Sequence, residues 1–93
     1  MWSGFVNGNF AGATEDYDFT IDNLPGVNRY SHILVTISEV TAPPGGADLD
    51  VAFLGGATMT VHNVVPQDNG SVIVRLSNNW NGPVNFRLWI TVF

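Results

Sequence analysis

Apolar and polar residues alternate in short runs along most of this sequence, and clusters of Gly, Pro and Asn separate the runs. Tyr17, Phe19 and Ile21 fall on one side of such a run, while Asp16, Asp18, Thr20 and Asp22 fall on the other. A period of two belongs to a β-strand with one buried face, because successive side chains point to opposite faces of the pleat. The same test gives Ile33, Val35 and Ile37 within residues 30–40, then Leu49, Val51 and Phe53, then Met59 and Val61. It continues with Val72, Val74 and Leu76, and closes with Val84, Phe86, Leu88, Ile90 and Val92. Each set is expected to face a core.

An opening strand at residues 2–6 brings the expectation to about seven to eight strands, the usual number for two packed sheets. Turns are expected at Asn7-Gly8, Pro25-Gly26, Pro43-Pro44-Gly45-Gly46, Gly55-Gly56, Asn69-Gly70 and Asn81-Gly82-Pro83, since these pairs supply turn dihedrals. Helical periodicity, internal repeats and linkers are absent. The predicted fold is all-β: one antiparallel two-sheet β-sandwich, jelly-roll-like, occupying residues 1–93 as a single domain.

The 93 residues contain no cysteine, so disulfide staples, thiolate metal sites and cysteine nucleophiles are all excluded. Stability must come from packing, and a 45% hydrophobic content with Trp2, Trp80, Trp89 and six phenylalanines can supply it. Charged residues make up 12% of the chain, about half the ~25% usual for soluble domains. Lysine is missing, the cations are Arg29, Arg75 and Arg87, and the formal net charge is −5. Nucleic acid is therefore not an expected partner, because neutralising phosphates requires a clustered basic surface. Anionic membranes are disfavoured for the same reason, and no apolar run approaches the ~20 residues of a crossing helix.

A surface poor in charge is covered by Asn, Ser, Thr, Gly and apolar side chains instead. Lysine and glutamate are depleted where protein surface is buried against a partner, and aromatics and arginine are enriched there. On the closing strand the outer face carries Asn85, Arg87, Trp89, Thr91 and Phe93. Either a loop or the first strand covers these aromatics, or they form a subunit interface, with Arg87, Trp89 and Phe93 as its candidate residues. The first residues show no basic region, apolar stretch or cleavage site of a signal peptide. The expected location is a virion or extracellular surface, reached by lysis or another non-classical release.

Catalytic chemistry is poorly represented. Nucleophilic catalysis needs a base beside the nucleophile, and His32 and His62 are both expected mid-strand, facing away from the core. The acidic groups of Glu15-Asp16-Tyr17-Asp18 and Asp48-Leu49-Asp50 are read as solvated charge rather than a glycosidase pair, which requires two carboxyls facing across a cleft. The oxygens of Asp48 and Asp50 are candidate calcium ligands, since calcium takes several carboxylates and carbonyls from loops. The segment Ser77-Asn78-Asn79-Trp80-Asn81-Gly82-Pro83 is the best local candidate for recognition of a glycan or small molecule. Trp80 offers a ring for stacking, and Asn78, Asn79 and Asn81 offer amide donors and acceptors. The alternative is a Trp80 folded back as a lid over one end of the sandwich.

The stretches Asn7-Gly8-Asn9-Phe10-Ala11-Gly12, Glu15-Asp16-Tyr17-Asp18-Phe19-Thr20, Ala47-Asp48-Leu49-Asp50-Val51 and the closing strand 84–92 together resemble the bacterial pre-peptidase C-terminal domain. The resemblance implies a small jelly-roll-like sandwich with an accessory binding role, sometimes assisted by calcium. The leading expectation is a non-catalytic structural or assembly protein without a required cofactor, a homo-oligomer or a decoration (cement) subunit of a capsid-like array. The alternative is a carbohydrate-binding module, with calcium as a possible helper.

Overall fold

The computed structural model describes residues 1–41 and 51–93. Among the described residues seven strands follow one another without a helix: β1 (Trp2–Phe10), β2 (Thr14–Ile21), β3 (Ile33–Thr41), β4 (Val51–Phe53), β5 (Met59–Pro66), β6 (Val72–Asn78) and β7 (Val84–Val92). They form a four-stranded sheet ordered β1-β7-β3-β4 and a three-stranded sheet ordered β2-β6-β5. Every pairing is antiparallel. The fold is the β-sandwich that the alternation calls for. First strand pairs with last and second with next to last, so segments far apart in sequence close both sheets.

Of the three strands with neighbours on both sides, β3, β6 and β7, the last two carry the deepest residues. Val72, Val74 and Leu76 are fully buried, as are Phe86, Leu88 and Ile90. These are the alternating positions of each strand, so the pleat delivers all six to the space between the sheets. Phe86 anchors one end of the core. Its ring centre lies 5.0 Å from that of Phe10 and 5.6 Å from that of Phe19, within the range of favourable aromatic pairs.

Three sequence expectations need correction. Asn7-Gly8 is not a turn, because β1 runs through it to Phe10 in unbroken register with β7. Val51 and Phe53 are exposed rather than inward, since β4 lies at a sheet edge and its ladder partner among the described residues is β3 alone. The third member of that set, Leu49, lies outside the described residues. His32 precedes β3 instead of lying within it.

The long connection between β2 and β3 is tied down at several points. Leu24 and Val27 are buried, and the Leu24 amide donates to the Gly70 carbonyl at 2.9 Å. The Arg29 amide and guanidinium both donate to the Asp68 carboxylate in the β5–β6 turn. Gly70, at φ +83°, occupies the left-handed region that the Asn69-Gly70 turn requires.

Candidate functional site

The outer face of the four-stranded sheet is built in rows by the strand register. Ser3, Thr91 and Leu34 lie side by side across β1, β7 and β3; Phe5, Trp89 and Thr36 form the next row, and Asn7, Arg87 and Ser38 the one after. Phe5 and Trp89 are thus cross-strand neighbours, with ring centres 5.2 Å apart. Both remain nearly half exposed, and Leu34 slightly more so. The expected covering of Trp89 by the first strand is partial: β1 supplies Phe5 beside it rather than over it.

Arg87 is the unusual member of this face. Although it sits at an outward position, it is only 8% exposed. Its guanidinium carbon lies 4.1 Å from the Phe5 ring centre and 5.3 Å from that of Trp89, and its Nε donates to Asn7 Oδ1 at 3.0 Å. Among the described residues the ion pairs are Arg29–Asp68 and Arg75–Asp18, so Arg87 has no carboxylate partner there. A planar cation laid against two rings is favourable by about 0.5–2 kcal/mol, depending on how far water is excluded. The result is an aromatic and cationic cluster at the surface. Phe93 stands apart from it, just past the end of β7, where its amide donates to the His32 carbonyl and its ring meets the His32 ring at 5.5 Å.

The Trp80 loop is organised by Asn78, which is buried. The Asn78 amide nitrogen donates to the carbonyls of Gly12 and Trp80, and its Oδ1 accepts from the Trp80 amide. Asn79 Oδ1 accepts from the Thr58 amide at 2.7 Å. Trp80 itself is 47% exposed. Its ring is fitted against Gly56 and Gly82, where a Cβ would lie 2.7 Å from Cζ3 and 3.3 Å from Nε1 respectively. Gly56, Asn79, Trp80, Asn81 and Gly82 line an open recess of about 660 Å³. Trp80 and Asn81 are therefore presented to solvent, while Asn78 serves the loop's own backbone.

The proposed calcium ligands Asp48 and Asp50 lie outside the described residues. Among the described residues no three His, Cys, Asp or Glu side chains come together as a metal-binding group.

One pairing was not visible in the sequence. His62 Nε2 and Ser77 Oγ are 2.8 Å apart on the exposed face of β5 and β6, brought together by strand register across fifteen positions. Neither an acidic partner for the ring nor an enclosed apolar setting accompanies them among the described residues, and a serine is activated only when its base is itself oriented.

The two remaining cations are neutralised at the surface. Arg75 and Asp18 face each other across β6 and β2, with Nε donating to Oδ1 at 2.8 Å. The hydrogen bond from Arg75 holds the Asp18 carboxyl below its ordinary value, and Arg29 does the same to Asp68. Compared with known protein families, curated proteins and solved structures, the chain matches none.

Proposed function

We propose that this chain is a non-catalytic assembly module that associates with copies of itself through the outer face of its four-stranded sheet, in the manner of a decoration subunit on a virion or similar surface array. The observation that carries this reading is the Phe5–Arg87–Trp89 cluster. Trp and Arg dominate the energetics of protein interfaces, above all where their geometry is fixed before binding. Here the arginine is already desolvated and lies against two rings without an internal counter-charge among the described residues. A chain with 12% charged residues and no lysine leans towards the composition of contact area. Light scattering tests the proposal. A mass above the 10.1 kDa monomer at high micromolar concentration supports it, and reversion towards monomer in the Phe5→Ser, Trp89→Ser double variant assigns the contact to this face. A wild-type monomer under those conditions refutes it.

A second reading rests on Trp80, whose ring is half exposed beside an open recess with Asn79 and Asn81. A sugar ring stacks on such a surface while amides meet its hydroxyls. On this reading Trp80→Ala abolishes glycan binding with the fold intact. A glycan array that stays silent with and without calcium removes it.

A further inference from the structure

Each sheet ends in two edge strands, and an unguarded edge is a template for pairing with another chain. Two of the four edges carry recognised protection, and strand β4 has three described residues, Val51–Phe53. Strand β2 holds Glu15, Asp16 and Asp18, and its ladder is broken by a register shift between Thr14 and Tyr17, where Asp16 takes a φ of +54°. Strand β5 has a register shift between Val61 and Asn63 and ends on Pro66. Bulges, charges and prolines are the devices by which natural sheets blunt their edges.

Strand β1 has none of them. Its nine residues, Trp-Ser-Gly-Phe-Val-Asn-Gly-Asn-Phe, include no charge and no proline. The register with β7 is continuous from Trp2↔Val92 to Phe10↔Val84. Among the described residues, backbone hydrogen bonds outside the strand ladders involve no residue from 2 to 10. We infer that the outer edge of β1 pairs antiparallel with β1 of a second copy, joining two four-stranded sheets into one of eight strands. This inference rests on the assembly reading above and adds to the face it names a second contact, at the sheet edge.

The second copy comes from the assembly reading, and charge selects β1 as the element at which the copies meet. In a chain of net charge −5, two copies repel, and like charges placed opposite each other across strands are destabilising. An uncharged strand is the element that two copies can bring together at least electrostatic cost. A two-fold axis across β1 makes the contact self-complementary and closed, as in most homodimers. Phe5 lies on β1 itself, so the axis also sets the Phe5–Arg87–Trp89 clusters of the two copies on the same face of one continuous sheet.

The test is a lysine guard. Ser3 and Asn9 point outward and are exposed, so Ser3→Lys with Asn9→Lys charges the β1 edge while leaving the core untouched. The exposed Thr20 and Ala13 take the same two lysines as a control at the already guarded β2 edge. Sedimentation velocity on all three proteins, each first shown folded by circular dichroism, is expected to give at least a tenfold rise in the midpoint concentration of dimerisation for the β1 variant and less than a twofold change for the control. A wild type that associates with the same midpoint as the β1 variant overturns the edge inference and leaves the assembly reading standing. A wild type that is monomeric throughout overturns the assembly reading and this inference with it. Hydrogen exchange supplies a readout independent of the variants: raising the wild-type concentration is expected to slow exchange in residues 2–10, and slowing confined to β2 or β5 overturns the pairing.

Discussion

The Arg87 guanidinium carbon lies 4.1 Å from the centre of the Phe5 ring, across the β7–β1 ladder. This contact turns an outward-facing arginine into a nearly buried one, and it depends on the flat shape of the guanidinium. A lysine at the same position keeps the charge but loses the stacking plane and the Nε hydrogen bond to Asn7. Arg87→Lys is expected to lower stability by about 1 kcal/mol and to weaken self-association as well. Urea unfolding followed by Trp fluorescence checks the first, and a concentration series of the molar mass checks the second. An unchanged midpoint in both removes the stacked arginine from the account.

Gly8 sits opposite Phe86 in the β1–β7 register, and a Cβ there would come within 2.5 Å of Phe86 Cζ. Phe86 is fully buried, with Phe10 and Phe19 packed against it, so the ring has little room to move. Gly8→Ala is expected to destabilise the fold by about 1–3 kcal/mol through overpacking, despite alanine being the better strand residue. Chemical denaturation measures this directly. A neutral or stabilising result means that the ring yields.

Asn78 satisfies two backbone carbonyls and one backbone amide with its side chain. Asn78→Ala leaves those groups without partners in a mostly buried setting, at an expected cost of about 1–3 kcal/mol. The same change frees Trp80 from its anchor, so the fluorescence of Trp80 in the folded protein is expected to shift towards the solvent-exposed value. Loss of stability without that shift separates the loop's packing from its hydrogen bonds.

Acid is expected to destabilise the protein through Asp18 and Asp68. Hydrogen bonds from Arg75 and Arg29 lower their folded-state values below the ordinary 3.8, so the folded state binds protons less readily than the unfolded one. The stabilisation is complete above that ordinary value and is lost as pH falls through the folded-state values. Both carboxylates are solvent-exposed, so the effect is small and shrinks further in 1 M salt, where the screening length is about 3 Å. Thermal midpoints measured from pH 6 to pH 2 are expected to fall below pH ~4, and Asp18→Asn with Asp68→Asn is expected to flatten part of that fall.

Much of the fold was legible in the sequence, because period-two alternation in β3, β6 and β7 reports directly which residues face the other sheet. Asn7-Gly8 was misread for a physical reason. The pair has turn chemistry, but the glycine is there to admit the Phe86 ring, a contact between residues far apart in sequence. The exposure of Val51 and Phe53 was equally hidden, since it depends on β4 lying at an edge rather than on its own pattern. Trp89 could be picked out as an outward aromatic. That Phe5 lies beside it and that both rings meet Arg87 follows from β1 pairing with β7 across the length of the chain, which local pattern does not encode.

In the proposed assembly the Phe5–Arg87–Trp89 face joins copies of this chain. Sedimentation equilibrium of the wild type from low to high micromolar concentration tests it most directly. The expected result is a concentration-dependent mass rising above 10.1 kDa, abolished when Phe5 and Trp89 are both replaced by serine. A mass that stays at the monomer value across the whole range would contradict the account.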